Sequence, residues 1–130
     1  MHTVQPTPDP CLLLIDDDPL VRTTLMMGME DEGFRVVEAE TGEAAIALLG
    51  AGLQPAVVVT DINLGEGCSG VELANCLADS HPDLPVILIS GRWRPPAKAL
   101  SGEERQFLGK PFAMAALTKL VREQVAPRPA

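Results

Sequence analysis

Four apolar runs in this chain end at residues that could do chemistry together. CLLLI runs into Asp16-Asp17-Asp18, AVVVT into Asp61, PVILI into Ser90 and QFLG into Lys110. Carboxylates gathered at one rim repel each other and raise one another's pKa. A hard divalent cation relieves that repulsion, and Mg²⁺ is satisfied by a few carboxylates together with water and phosphate oxygens. A carboxylate held beside such an ion can attack phosphorus in line and become an acyl phosphate. Lys110 would share in neutralising the transferred oxygens, and Ser90 would donate a hydrogen bond to one of them. The combination suits phosphoryl transfer onto Asp61. Each piece alone says little. Acids after a strand often cap a helix, and Asp18 reads as such a cap. Lys-Pro pairs are common on surfaces, and a serine at a strand end usually bonds backbone. Their order and shared placement carry the reading.

Bringing these groups to one rim requires a particular set of elements. Cys11–Ile15 is apolar throughout, as expected of a strand buried on both faces. Asp18-Pro19 starts a helix with a cap and a first-turn proline. Val21, Leu25 and Met29 recur at helical spacing, and Gly33 stops that helix. Phe34–Val37 reads as a second strand, Thr41–Leu49 as a short helix capped by Thr41, and Ala56–Thr60 as a third strand. Val71–Ala78 reads as a helix closed by His81-Pro82. Pro85–Ser90 and Gln106–Gly109 are the fourth and fifth strands. Ala113–Val125 is the last helix, with Met114, Leu117, Val121 and Val125 on one face. This alternation implies a parallel sheet with helices on both faces. In such sheets ligands sit beyond the carboxyl ends of the strands.

Composition narrows the setting. The 130 residues suit one domain that buries its core without staples, and 46% apolar with 22% charged residues is an ordinary globular balance. No apolar run is long enough to span a bilayer, and MHTVQPTPDP does not have the form of a secretory signal, so a cytoplasmic location is expected. A net charge of −8 argues against a nucleic-acid surface. Cys11, Cys68 and Cys76 are odd in number and lack metal spacing, which disfavours a disulfide framework or a zinc site. Cys11 reads as a small core residue. His2 and His81 are poor candidates for catalysis. Residues 1–10 and 127–130 are expected to be tails on a single domain at 11–126.

LLLIDDDPLVR, VVVTDINL, LPVILISG and FLGKPF, in this order, resemble the CheY-like receiver domain of bacterial response regulators. The resemblance implies a doubly wound α/β fold, flavodoxin-like, with a five-stranded parallel sheet in the order 2-1-3-4-5. It implies that Asp61 is the phosphoacceptor, that Asp17 binds Mg²⁺ (or Mn²⁺) directly and Asp16 largely through water, and that Asn63 lends its backbone carbonyl. Ser90 would be the switch hydroxyl and Phe107 the aromatic switch residue. Lys110 would meet the phosphoryl group, and Pro111 would follow a cis peptide. A histidine kinase or histidine phosphotransfer protein would donate the group. The domain would be a signalling module and not an enzyme in the metabolic sense, catalysing only its own phosphorylation and a slow self-hydrolysis. The downstream target and a homodimeric state are left open, and no nucleic acid or membrane is expected to bind here.

Two stretches depart from the family pattern. LGEGCSG is one residue longer than the CheY equivalent and lacks the usual Met-Pro pair. Gly91–Arg105, with Pro95-Pro96, is expected to give a reduced or irregular version of the family's fourth helix. Within it, Arg92 is expected to tune phosphoryl lifetime and Trp93 to report metal binding. Alternatives include a receiver cut from a hybrid histidine kinase or larger regulator. An aspartyl-nucleophile phosphatase is disfavoured because Asn63 stands where its general acid would. A pseudo-receiver is disfavoured by the complete acid, serine and lysine set.

Overall fold

The apolar runs read from the sequence are the strands of one sheet in a computed structural model, which describes residues 10–65, 67–90, 105–110 and 112–125. The elements are β1 (Cys11–Ile15), α1 (Pro19–Asp31), β2 (Arg35–Ala39), α2 (Gly42–Gly50), β3 (Val57–Asp61), α3 (Gly70–Ser80), β4 (Val86–Ser90), β5 (Arg105–Gly109) and α4 (Met114–Val125). All neighbouring strands run parallel, in the order β2-β1-β3-β4-β5. This is the doubly wound arrangement that the resemblance implies. The expectations for residues 91–104, including Arg92, Trp93 and the family's fourth helix, lie outside the described residues, as do Pro111 and both tails. Ser90 and Phe107 are placed by their backbone alone.

Alternation along the strands divides the core into two layers. Leu13, Ile15, Val58, Val86 and Leu88 face α2 and α3, where Ala45, Leu49, Leu73 and Leu77 meet them. Leu12, Leu14, Val57, Val59, Ile87 and Ile89 face α1 and α4, where Leu25, Met29, Leu117 and Val121 close the other side. Every residue of β1 is therefore buried, which its unbroken apolar run demands. Full burial of each such Leu or Ile contributes about 1.5–3 kcal/mol, so the central strands are firmly held. α1 and α4 approach closely at Gly28, where a Cβ would overlap the Met114 side chain.

Several boundaries differ from the sequence expectation, each for a physical reason. β2 runs to Ala39 because Glu38 and Ala39 continue the ladder opposite Leu14 and Ile15. An edge strand with one open side tolerates that charge. α3 starts before Val71 because Ser69 and Glu72 form a reciprocal capping box. Asp18 accepts from the N–H groups of Leu20 and Val21, and so it is the helix cap that the sequence indicates.

Candidate functional site

β3 extends one residue further than its apolar run, and that residue is Asp61. Its backbone lies in the ladder opposite Ile89, and the next N–H, of Ile62, donates to the Ile89 carbonyl at 2.9 Å. Asp61 is thus fixed by sheet hydrogen bonds and not by a loop. Among the described residues its carboxylate has two hydrogen-bond partners. Oδ1 accepts from the Asn63 N–H at 2.9 Å, and Oδ2 accepts from Lys110 Nζ at 2.9 Å. The Asp61 side chain is only 12% exposed and that of Lys110 33%, so the pair is partly desolvated.

β1 delivers the other acids. Asp16 is buried at 2% exposure, and its Oδ1 accepts from the Asp18 N–H at 2.9 Å. Arg22 of α1 holds this turn from outside, with Nη1 donating to the Asp16 carbonyl and Nε to Glu38 Oε1. Asp17 is exposed, and the loop after β3 approaches its carboxylate at Gly65. Gly65 has φ +73°, and a Cβ there would stand 3.1 Å from Asp17 Oδ2. Only glycine takes this backbone shape without strain while leaving that carboxylate room. The Asn63 side chain helps form the turn, accepting from the Gly65 N–H at 3.2 Å.

The charges feel each other. Burial raises the Asp16 pKa above 3.8; the Asp18 N–H opposes the rise, Asp61 adds to it, Lys110 opposes it and Asp17 adds to it. Burial would lower the Lys110 pKa, but the hydrogen bond and charge of Asp61, with Asp16 and Asp18 behind, outweigh it and raise the value. Lys110 is therefore an ammonium at any physiological pH. A raised carboxyl pKa means that ionisation of Asp16 opposes folding. Stability is lost as pH rises from 3.8 through the raised value. Asp16→Asn keeps an acceptor for the Asp18 N–H and removes the charge. In metal-free buffer it is expected to stabilise the fold by about 0.5–2 kcal/mol at neutral pH, with a smaller gain near pH 4. Urea unfolding at both pH values measures this; a variant less stable than wild type at neutral pH contradicts the repulsion account.

This donor set fits a divalent cation of the hard, oxygen-seeking kind. Asp16, Asp17 and Asp61 raise the local negative charge, and Lys110 balances only part of it. Among the described residues no three acids converge tightly enough to cage an ion alone. The backbone sets Ser90 opposite Gly109, next to Lys110, and Phe107 opposite Leu88 on β5. The sequence singled out Asp16, Asp17, Asp61, Asn63 and Lys110, and the fold gathers them at one rim. It did not single out Gly70 or Glu43. Gly70 donates its N–H to the Ile62 carbonyl at 2.8 Å, and a Cβ on it would overlap the Asp61 carbonyl oxygen. Glu43 of α2 accepts from the Cys68 N–H at 3.0 Å.

A doubly wound sheet with acids at the ends of β1 and β3 and a lysine after β5 places this chain among α/β domains whose polar groups gather beyond the carboxyl ends of the strands. Comparison with known proteins makes the class specific. The family model of the response regulator receiver domain matches residues 12–122, and the chain belongs to that family. The C4-dicarboxylate transport transcriptional regulatory protein DctD of Pseudomonas aeruginosa is 39% identical over 121 residues, covering 90% of this chain and 25% of that protein. The KDP operon transcriptional regulatory protein KdpE of Escherichia coli is 31% identical, covering 85% of this chain and 49% of that protein. The chain thus spans between a quarter and a half of these relatives' lengths. A response regulator receiver protein from Sinorhizobium medicae superposes with a TM-score of 0.83 at 27% identity, covering 90% of this chain and 94% of that one. The family is one of signalling domains and points to no metabolic enzyme class. Among the described residues no helix is long and apolar enough to cross a membrane.

Proposed function

We propose that this domain accepts a phosphoryl group on Asp61 from a phosphohistidine of a histidine kinase or histidine phosphotransfer protein, and changes conformation in response. The observation that carries the reading is the Lys110 Nζ to Asp61 Oδ2 contact of 2.9 Å, made between the ends of two strands of a rigid sheet. It puts a fixed cation beside a partly desolvated carboxylate, where the oxygens of a transferred group would need neutralising. In the transfer, an Asp61 oxygen attacks phosphorus in line, the P–N bond to the donor imidazole breaks with its electron pair going to that nitrogen, and the ring, already protonated on its other nitrogen, departs as neutral imidazole. Mg²⁺ or Mn²⁺, held by Asp17, Asp61, the Asn63 carbonyl and, through water, Asp16, would supply charge neutralisation when bound. Lys110 then follows the phosphoryl oxygens and leaves its contact with the free carboxylate. Ser90, beside Lys110 at the end of β4, is the hydroxyl that would move toward the same oxygens, and Phe107 the side chain that would answer that movement. Such a change biases a two-state element on the β4–β5 side of the sheet. The cytoplasm is the setting in which such donors work.

Incubation with acetyl phosphate and a divalent cation tests the reading without the kinase. Intact mass is expected to show one added phosphoryl group, lost on alkaline treatment and absent from Asp61→Asn. Equal labelling of Asp61→Asn would overturn the assignment.

A further inference from the structure

We propose that Glu43, at the start of α2, is a positioning residue that clasps the loop after β3 over the acid rim and so sets the affinity of that rim for a divalent cation. This rests on the proposed function, because it concerns the same rim. The loop has a demanding shape. Gly65 and Gly67 both take positive φ, +73° and +89°, a backbone shape that glycine adopts without strain. Ser69 and Glu72 tie its far end to α3, and Asp61 and Asn63 tie its near end to β3. Between these ties the loop is held from the side by α2. Glu43 Oε2 accepts from the Cys68 N–H at 3.0 Å across 25 residues of sequence. The same carboxylate lies against Gly67, where a Cβ would stand 3.0 Å from Oε1. One residue earlier, Gly42 leaves the space into which the Cys68 thiol fits, since a Cβ there would overlap its sulfur. The thiol itself stays uncharged: burial, then Glu43 and Glu72, push its pKa up. Two adjacent residues of α2 therefore meet two adjacent residues of the loop, just beyond the glycine that stands over Asp17.

A loop pinned in this way presents the Asn63 carbonyl and the space beside Asp17 in one geometry. Loss of such outer support typically costs tenfold or more in metal affinity. Glu43 also sits in the first turn of α2, where a negative charge stabilises the helix whatever the loop does. The two roles call for different replacements. Glu43→Gln keeps the reach and the acceptor oxygen but loses the charge. Glu43→Asp keeps the charge but is one methylene too short to hold the Cys68 N–H.

The test measures two quantities on the full chain. Amide hydrogen exchange at residues 67–69 in metal-free buffer reads the clasp without any ion, and calorimetric titration with Mg²⁺ reads the rim. Glu43→Gln is expected to keep wild-type exchange and an Mg²⁺ dissociation constant within about threefold of wild type, as a screened surface charge allows. Glu43→Asp and Glu43→Ala are expected to exchange faster and to bind Mg²⁺ about tenfold more weakly. Thermal stability should instead follow charge, with Glu43→Asp above Glu43→Gln. If Mg²⁺ affinity follows charge too, or if all three variants match wild type, the clasp is overturned. A wild-type chain that neither binds Mg²⁺ nor takes up a phosphoryl group overturns the parent reading instead.

Discussion

Lys110→Met is expected to take up phosphoryl groups from acetyl phosphate about a hundredfold more slowly than wild type, the usual loss when one preorganised charge at a reacting centre is removed. Methionine is unbranched, close in length to the lysine stem and uncharged, so the change isolates the charge. Among the described residues it leaves Asp61 with the hydrogen bond from the Asn63 N–H. It also strips the cation that partly offsets Asp16, whose pKa burial and neighbouring acids already raise. Lys110→Arg keeps the charge but spreads it over a planar fork, and only partial recovery is expected. Rates followed by intact mass decide the matter; uptake by Lys110→Met within threefold of wild type would falsify a role for the ammonium.

Gly70→Ala is expected to destabilise the domain by roughly 1–3 kcal/mol, as forced overpacking does. The sign is informative, because an alanine at an ordinary helix position would be about 0.5–1 kcal/mol better than glycine. Here the added carbon would overlap the Asp61 carbonyl oxygen and lie 2.8 Å from Ile62 Cα. Both obstacles are backbone, so no rotamer change relieves the contact, and either the start of α3 or the end of β3 must move. If β3 yields, Asp61 leaves its place opposite Ile89, and phosphoryl uptake falls along with stability. Denaturant unfolding that finds the variant as stable as wild type would refute this.

The sequence made the strands legible because three of them lie inside the sheet and are apolar on both faces. β1 was read to the residue, and the cap at Asp18 followed from the Asp-Pro pair. β2 was read short because an edge strand can carry Glu38 without burying it. The Ser69–Glu72 capping box is the S-x-x-E pattern, which by itself marks Gly70 as the start of α3. The acids and the lysine could be found because each stands at the end of an apolar run. Gly70 and Glu43 could not, for a different reason. Their significance lies in contacts with residues that the chain brings close only by folding, and no local pattern records a glycine's need to meet the backbone of another strand.

The placement of charge across the sheet also governs how the chain behaves at high concentration. The segments CLLLI, VVVT and VILI are short, β-prone and free of charge, the composition that stacks into fibrillar assemblies when left open. Parallel pairing joins them across long stretches of chain, with Leu12 opposite Val57, and such non-local pairing forms slowly. Once folded, all three lie inside, and the outer strands are RVVEA and RQFLG. Arg35 and Glu38 are exposed along β2, where charge discourages another copy's strand from adding to the edge. The sheet thus keeps its stickiest segments in the middle and its charged ones outermost, so resistance to aggregation depends on β2 staying charged as well as on the core staying closed.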